Sequence, residues 1–489
     1  MRSLSAILAF LLCLAPASLA GQPAPIVVNP HISTDKSVDT STVDRILHSL
    51  VREDMTDEQK VLAVFHWIRR VLYHGDGPDD LAYDFGVMVH CLGNGSCLRQ
   101  TSPLAMLLGR LGCESRSWVH DGHHMLEVKY GGKWHCLDPH MTFYVYDRSD
   151  PPTIASVEQL RADATLAADA VKERRACPGY LLCGDSPGVF GPGGEWVNDR
   201  FPKLKINEPF GQITLRRGET YTRTWMPGDE AYRFRRSWQF DYGPYHTCTV
   251  KGDQKDVVNW PLYEPHVAAV GADAKYKAAR HWAIGQLVYK PDLRTDHYKD
   301  AVVRAENVRH DGEKGLTLID AEKPGLVVFS VRCPYVLTGG KMTLQTKGPG
   351  RITAGWSKPA GQAGPPLPMR LPMGQLTIAL PDEINGAFEG YDLHLKLEGD
   401  VSIESLELIT RFQLNPYSLP YLVPGKNVVK LEADRLASPL QVEWTYAEGP
   451  DWKTDKTAAK TFTAGGTFTI DVKGDKYPRN IALVLSVAP

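Results

Sequence analysis

The chain has 489 residues, of which 43% are hydrophobic and 23% are charged. These shares are typical of globular proteins, and the length predicts two to four domains. The formal net charge of −2 gives no basis for a nucleic-acid partner. The 43 glycines and 35 prolines exceed their average share and favour turn-rich β structure in much of the molecule.

Residues 1–20 have the pattern of a secretory signal peptide. Arg2 precedes an apolar run over residues 7–14, and Ser18-Leu19-Ala20 supplies small residues for cleavage. The run is too short to span a membrane, and no later stretch reaches the ~18 apolar residues that a transmembrane helix needs. We therefore expect a secreted or periplasmic protein without a transmembrane segment.

Export permits disulfides, and eight cysteines follow residue 20. Cys177 and Cys183 flank a Pro-Gly turn and form the most favourable local pair. A second pair could come from Cys91, Cys113 and Cys136. The alternative is that most of these cysteines are buried free thiols, which pack as small hydrophobic side chains. Spacing does not decide connectivity, so both alternatives stay open.

Helical patterns precede the central motif of the chain. Residues 42–53 read as a helix, and Thr56 with Gln59 forms a capping box before a second, amphipathic helix. A predicted loop over residues 75–92 then carries four aspartates, at positions 76, 79, 80 and 84. Their spacing lacks the pattern of a calcium-binding loop, so we expect a solvated loop beside a cleft rather than a metal site.

Cys97 lies directly before a predicted helix that ends at the stop signal Gly112. The apolar face of this helix recurs at helical spacing, at Leu104, Leu107, Leu108 and Leu111. A free thiol, with a pKa of about 8.5, is mostly protonated at neutral pH, but a helix N-terminus and a nearby imidazolium favour the thiolate. Pro103 lies inside the helix and predicts either a kink or a restart with Ser102 as cap.

A histidine and an aspartate follow on a predicted hairpin. Polar and apolar residues alternate over 125–130, and Gly131-Gly132 predicts the turn. Asp138 ends the returning strand and so lies beside the start of the first strand, at His123. A carboxylate in this position holds one imidazole nitrogen while the other faces a thiol. We predict Cys97 as nucleophile, His123 as general base and Asp138 as orienting group, with His124 as the alternative base.

This segment resembles the catalytic core of the transglutaminase-like superfamily, which is related to papain-like cysteine proteases. The matching motifs are Gly95-Ser96-Cys97, His123 with Glu127-Val128, and Trp134 with Asp138-Pro139. The resemblance covers about residues 42–175 and makes His123 the matching histidine, although the family often has tryptophan where this chain has Met125. It implies an α+β transglutaminase-like (papain-like) core, acyl transfer through a thioester, and no cofactor. The Cys97 backbone N–H is the default oxyanion donor.

A zinc site is the rival hypothesis for the same stretch. His120, His124 and His135 lie close together in sequence, beside Cys136. Imidazole and thiolate are the ligands that zinc prefers, but the spacing matches no zinc signature. We therefore favour chemistry at Cys97 and predict no metal.

Beyond Asp138 we expect a strand over residues 143–146 and a capped helix from Ser156 to about residue 175. Short β-branched and aromatic runs then predict all-β sandwich domains, with strands at 213–215, 220–225, 232–240, 326–331, 376–380, 393–397 and 403–408. The predicted organisation is a signal peptide (1–20), a transglutaminase-like catalytic domain (21–184), a linker (185–203), β-sandwich domains (204–418) and a small C-terminal β domain (419–489).

The residues and the resemblance together predict an exported, cysteine-dependent enzyme that acts on amide bonds of a protein or peptide. Water as acceptor makes it a protease or amidase, which we favour, and an amine makes it a crosslinking transglutaminase. The alternative is a non-catalytic cell-surface binding protein whose β modules recognise protein or carbohydrate. Trp444, Tyr446 and Trp452 are candidates for stacking on a polysaccharide, although aromatic residues in such strands more often belong to the core or to the ordinary surface.

Overall fold

The computed structural model describes residues 26–74, 81, 83–141, 143–170, 173, 175–176, 190, 193–197, 201–225, 282–359, 369–381, 389–449 and 452–489. The predicted signal peptide, Cys177, Cys183, Cys248 and the strand predicted over 232–240 lie outside these residues. Within the described ranges, no helix combines the length and the apolar character needed to cross a membrane.

The α-helices of the described part all lie before residue 171. They are α1 (Val43–Leu50), α2 (Asp57–Val71), α3 (Phe85–Val87), α4 (Cys97–Arg110), α5 (Val157–Ala162) and α6 (Ala164–Ala170). A π-helix over Met88–Leu92 continues directly from α3. Two 3₁₀ helices follow later, at Asp296–Ala301 and Pro416–Ser418.

Local capping signals place the first helices where the sequence predicts them. Thr42 accepts a hydrogen bond from the backbone of Arg45, and Thr56 and Gln59 form the reciprocal capping box before α2. α4 runs through Pro103 without a break. Ser102 is not a cap, because its hydroxyl donates to the Leu98 carbonyl at 2.6 Å within the same helix. The predicted restart at Ser102 is therefore wrong.

Three other local predictions are corrected. The helix expected from residue 156 to 175 divides at Asp163, whose carboxylate accepts the backbone N–H of Thr165 at 2.9 Å and so starts α6. Residues 85–92 of the predicted loop are helical, because Asp84 caps them through the N–H of Val87 at 3.1 Å. Residues 143–146 form only isolated bridges instead of a strand.

The first strands along the chain include the sheet that carries the candidate site. They are β1 (Val27–Val28), β2 (His31–Thr34), β3 (Tyr73–His74), β4 (Asn94–Gly95), β5 (Glu114–His120), β6 (His123–Tyr130), β7 (Lys133–Leu137) and β8 (Glu195–Val197). β5–β8 form an antiparallel sheet in the order β7-β6-β5-β8. The predicted turn at Gly131-Gly132 joins β6 to β7, as expected. The predicted linker over 185–203 contains β8, which pairs with β5.

The remainder of the described chain is almost entirely β structure. Its strands are β9 (Thr214–Leu215), β10 (Glu219–Thr224), β11 (Ala283–Tyr289), β12 (Val302–Glu306), β13 (Val308–Asp311), β14 (Gly315–Leu318), β15 (Gly325–Val331), β16 (Leu337–Lys347), β17 (Arg351–Ser357), β18 (Met369–Leu371), β19 (Gln375–Ala379), β20 (Tyr391–Glu398), β21 (Ser402–Leu414), β22 (Gly425–Glu432), β23 (Arg435–Leu436), β24 (Leu440–Glu448), β25 (Thr454–Phe462), β26 (Gly466–Val472) and β27 (Arg479–Val487).

These strands form one large sheet and several smaller ones. The large sheet follows the path β13-β14-β21-β11-β10-β27-β24-β25, with β16 on β21 and β19 on β16. A second sheet has the order β12-β15-β20-β17-β18, and β2-β22-β26 and β23-β1-β9 form two more. Strand pairing crosses the predicted domain boundary at residue 419, since β10 pairs with β27 and the β1 and β2 strands pair with β23 and β22.

Two hydrophobic cores divide the molecule. One is built from residues 43–210, which we call the α+β region. The other is built mainly from residues 211–489 together with β1 and β2, which we call the β-rich region. Trp444 and Tyr446 belong to the second core, and the Trp444 indole stacks on Trp225 at 5.5 Å and donates to Asn480 at 2.9 Å. Of the two alternatives that the sequence left open, these two residues follow the core one, because packing of the sheets has buried them.

Candidate active site

Cys97 is the first residue of α4 and is half-buried. The N-cap residue Ser96 makes no side-chain capping bond, although its carbonyl accepts the N–H of Gln100 at 2.9 Å. The first N–H groups of a helix have no partner within it and form the positive end of the helix dipole. The thiol therefore lies at the end of the helix that favours negative charge, as the sequence predicts.

The segment before Cys97 is folded tightly onto the first turn of α4. The Gln100 amide donates to the Gly95 carbonyl at 2.8 Å, and the Thr101 hydroxyl donates to the Cys97 carbonyl at 2.9 Å. A Cβ atom at Gly95 would lie 3.1 Å from the backbone carbonyl carbon of Arg99. Any larger residue would force the first turn of α4 to shift by a few tenths of an ångström, which gives a physical reason for the glycine of the Gly-Ser-Cys pattern.

His123 is the first residue of β6 and follows a two-residue turn. Asp121 and Gly122 both have positive φ, 49° and 76°, as a tight hairpin between β5 and β6 requires. The Gly122 carbonyl oxygen lies 3.9 Å from Cys97 Sγ, so this turn brings the hairpin to the thiol. The sequence analysis missed the turn, although Asp-Gly between alternating runs is a strong hairpin signal.

Asp138 directly follows β7 and holds the His123 ring. Its Oδ2 lies 2.6 Å from His123 Nε2, and its Oδ1 accepts the backbone N–H groups of His140 at 2.8 Å and Met141 at 3.1 Å. The Asp138 side chain is 0% exposed, whereas the His123 side chain is 19% exposed. Since Nε2 faces Asp138, Nδ1 is the nitrogen that remains for Cys97.

Charge complementarity holds His123 and Asp138 together. Burial alone would lower the pKa of His123, but the charge and hydrogen bond of Asp138, with smaller contributions from Cys97, raise that pKa to about 10. Burial opposes ionisation of Asp138, yet the neighbouring His123 keeps the pKa of this carboxyl below its usual range. The ring is therefore held as an imidazolium beside the thiol, which is the arrangement that activates a cysteine.

Glu127 and Arg116 support the strand that carries His123. Glu127 is fully buried, where burial raises the pKa of its carboxyl, and accepts the N–H of Val157 at 2.6 Å and Arg116 Nε at 2.7 Å. The Arg116 guanidinium lies between the rings of Trp134 and Trp196, at 4.2 and 3.7 Å from their centroids. Glu127 and Trp134 of the recognised motifs therefore stabilise β6 and its attachment to α5, and do not contact the thiol.

The other histidines of the segment have different surroundings. His124 Nδ1 lies 3.3 Å from the Ser117 hydroxyl, on the neighbouring strand. Both nitrogens of the buried His135 contact backbone carbonyls, those of Ile154 at 2.7 Å and Tyr130 at 3.3 Å. In the ranges the structure describes, no three His, Cys, Asp or Glu side chains are grouped so as to hold a metal ion. The zinc hypothesis therefore has no supporting geometry at these residues.

His140 belongs to the histidine cluster of this stretch, but the sequence did not predict its contacts with His123 and Asp138. Its ring lies edge-on to His123 with the two centroids 5.3 Å apart, and its backbone N–H is one of the donors to Asp138.

Cys91, Cys113, Cys136 and Cys333 are free cysteines, so Cys91, Cys113 and Cys136 do not supply the second disulfide that the sequence left open.

No protein-family model, curated protein or solved structure matches this chain. The functional interpretation therefore depends on the geometry of Cys97, His123 and Asp138 and on the motif resemblance alone.

Proposed function

We propose that the protein is an exported, cysteine-dependent acyl-transfer enzyme with a transglutaminase-like core, acting on amide bonds of proteins or peptides. The observation that carries the proposal is the 2.6 Å contact between His123 Nε2 and Asp138 Oδ2, with Cys97 at a helix N-terminus and in side-chain interaction with the same ring. A cysteine, an imidazole and an orienting carboxylate in this arrangement are the parts that thiol acyl transfer requires.

In the first step, Cys97 Sγ attacks the carbonyl carbon of the amide and forms a carbon–sulfur bond. His123, as imidazolium, donates its proton to the leaving nitrogen, the carbon–nitrogen bond breaks, and an amine departs. The negative charge that develops on the carbonyl oxygen faces the start of α4, where the Cys97 backbone N–H is the default donor. The product of this step is a thioester on Cys97.

In the second step, neutral His123 takes a proton from the incoming acceptor, which attacks the thioester carbon. Water gives a carboxylic acid, an amine gives a new amide, and in both cases the sulfur leaves as thiolate and is restored. We place hydrolysis ahead of crosslinking, as the resemblance to exported hydrolases of this superfamily implies. Asp138 takes no proton in either step and keeps the ring oriented.

An activated ester tests the proposal without knowledge of the natural substrate. With p-nitrophenyl acetate, the wild-type protein should release a rapid burst of about one equivalent of p-nitrophenol and carry an acetyl group on Cys97. The half-buried Cys113 is the control in the same chain, and we expect it to be acetylated far more slowly. Equal slow acetylation of Cys97 and Cys113, without a burst, would favour the non-catalytic binding protein instead.

A further inference from the structure

The π-helix Met88–Leu92 leads into the nucleophile through residues 93–96. Its last turn closes with the N–H of Gly93 on the Met88 carbonyl at 2.8 Å. The carbonyls at a helix C-terminus have no partner within the helix and need donors from elsewhere. π-helices are rare overall, but those that occur are often found at functional sites. The source of these donors therefore bears on how Cys97 is held.

All four remaining carbonyls of the π-helix accept hydrogen bonds from the β-rich region. The bonds run from Asn415 Nδ2 to Val89 at 2.7 Å, Asn415 N to His90 at 2.8 Å, Gln413 Nε2 to Cys91 at 3.2 Å, and Trp282 Nε1 to Leu92 at 2.7 Å. Gln413 and Asn415 are both buried. The β-rich region therefore holds the segment that leads to Cys97. Two of the donors, the side chains of Gln413 and Asn415, lie more than three hundred residues away along the chain.

Asn415 makes the largest share of these contacts. Its amide nitrogen also donates to the Val71 carbonyl at the end of α2, at 2.9 Å, and its Oδ1 accepts the N–H of Tyr417 at 3.2 Å. Gly93 has a φ of 60°, and a Cβ atom there would lie 2.8 Å from the Asn415 side chain. Asn415 therefore contacts the end of α2, the π-helix and the turn that precedes Cys97.

The π-helix also belongs to both hydrophobic cores. Met88 and Val89 pack in the core of the α+β region, whereas Cys91 and Leu92 pack in the core of the β-rich region. If this turn relaxed to an α-helix, the following residues would shift by one helical step of about 1.5 Å. Misplacement of a reacting group by about 1 Å costs on the order of 10²-fold in rate.

We propose that Asn415 is a positioning residue, through which the β-rich region fixes Cys97 against His123. The inference rests on the proposed function for its catalytic meaning, but the position of the thiol is measurable by itself. Cys97, His123 and Asp138 all lie in the α+β region, yet the position of Cys97 depends on contacts with the β-rich region. Release of the Asn415 amide from the carbonyls of Val71 and Val89 leaves the triad residues unchanged and moves Cys97 away from the ring.

The test measures iodoacetamide labelling of Cys97 in the full chain, peptide by peptide, between about pH 6 and pH 9. Asn415→Asp keeps the acceptor for Tyr417 and removes both side-chain N–H donors, and Asn415→Ala removes the whole amide. The matched control is Asn427→Ala. Asn427 is equally buried, and its amide bonds Val423, Gly425 and Ile470, all within the β-rich region. The buried Cys136 and Cys333 report unfolding, since they are labelled only when the cores open.

We expect both Asn415 variants to label Cys97 about tenfold more slowly than wild type at about pH 6.5, with profiles shifted towards that of an ordinary thiol. Asn427→Ala should keep the wild-type pH profile of Cys97 labelling, even if it lowers the melting temperature as much as the Asn415 variants do. Wild-type labelling in both Asn415 variants, with Cys136 and Cys333 protected, would overturn the inference. If His123→Ala labels Cys97 as fast as the wild-type protein does, the proposed function is refuted instead. The ratio of the Cys97 labelling rates in the Asn415 and Asn427 variants still decides the positioning role.

Discussion

His123 and Asp138 form a buried charged pair in the α+β region, and Arg216 and Glu219 form another in the β-rich region. Arg216 donates to both Glu219 oxygens, through Nε at 2.7 Å and Nη2 at 2.5 Å, and also to the Ser330 carbonyl. Its guanidinium lies 4.6 Å from the centre of the Tyr289 ring. Every side of this pair is covered by protein.

In the His123–Asp138 pair, only the carboxylate is fully buried. Asp138 is saturated by His123, His140 and Met141, but the imidazole is partly exposed and also interacts with Cys97. A charge that is completely paired can only contribute to stability and specificity of folding. A charged side chain that is partly exposed can exchange a proton with a ligand. The proposed function gives the His123–Asp138 pair a role in catalysis and leaves the Arg216–Glu219 pair a role in stability, and four changes test this division.

His123→Ala should have the largest effect. Removal of the base lowers the rate of Cys97 acetylation by p-nitrophenyl acetate on the order of 10³-fold, since general acid–base catalysis contributes about 10²–10⁴-fold. We measure the burst phase and the acetylated peptide. Near-ultraviolet circular dichroism controls for the fold, and a burst of wild-type rate in a folded His123→Ala protein would show that the pair is not chemical.

Arg216→Met should instead destabilise the protein and leave the chemistry intact. It strands the fully buried Glu219 carboxylate, and loss of one partner of a buried ion pair costs about 3–5 kcal/mol. Urea unfolding gives the change in free energy, and the burst amplitude per folded molecule should stay at the wild-type value. The double variant with Glu219→Leu should recover much of the loss, because two apolar residues leave no unpaired charge.

The two pairs should also differ in their dependence on pH. The raised pKa of His123 means that its stabilising contribution is complete below about pH 6.5, the unfolded value, and is lost as the pH rises towards about 10. The lowered pKa of Asp138 means that its contribution is complete above about pH 4 and lost in acid. The difference in unfolding free energy between wild type and His123→Gln should therefore fall by up to ~5 kcal/mol between about pH 6.5 and about pH 10.

Arg216 provides the comparison for that measurement. Burial alone would lower the pKa of Arg216, but the charge of Glu219 raises it above its usual range. The guanidinium therefore keeps its proton throughout the same interval, and the destabilisation by Arg216→Met should stay constant with pH. A His123→Gln difference that is equally flat would contradict the coupling of His123 to Asp138.

Local signals in the sequence were sufficient for the parts of the site that lie close together in the chain. The capping box at Thr56, the helix after Cys97 and the hairpin at Gly131-Gly132 each depend on neighbouring residues, and all three are present. His123 and Asp138 could be predicted to meet because a short hairpin fixes the register between them. Cys97 and His123 could be paired only by the motif resemblance, since the Asp121-Gly122 turn was missed.

Long-range pairing could not be predicted from the same signals. Alternation indicates a strand and its buried face but not its partner, so the pairing of β10 with β27 across residue 419 was invisible. Asn415 lies 326 residues from the carbonyl of Val89 that it binds, and nothing in its own neighbourhood marks it. The burial of Trp444 could not be decided for a related reason, because an aromatic residue on an alternating strand is buried or exposed according to what packs against the sheet.

His124→Ala should have the smallest effect of the four changes. Because His124 Nδ1 faces Ser117 and Asp138 holds His123, the Cys97 acetylation rate should change less than about twofold, well below the effect of losing a general base. The measurement compares burst rates of the two histidine variants in one preparation. A loss as large as that in His123→Ala would assign the role of base to His124, the alternative that the sequence left open.

The most direct test of the central claim is the pH dependence of Cys97 alkylation by iodoacetamide in wild type and in His123→Ala, read by mass spectrometry. We expect fast wild-type labelling well below pH 8, where an ordinary thiol with a pKa of about 8.5 is mostly protonated. We also expect His123→Ala to remove this low-pH labelling while Cys113 is unaffected. Slow labelling with the midpoint of an ordinary thiol, identical in both proteins, would contradict the proposed function.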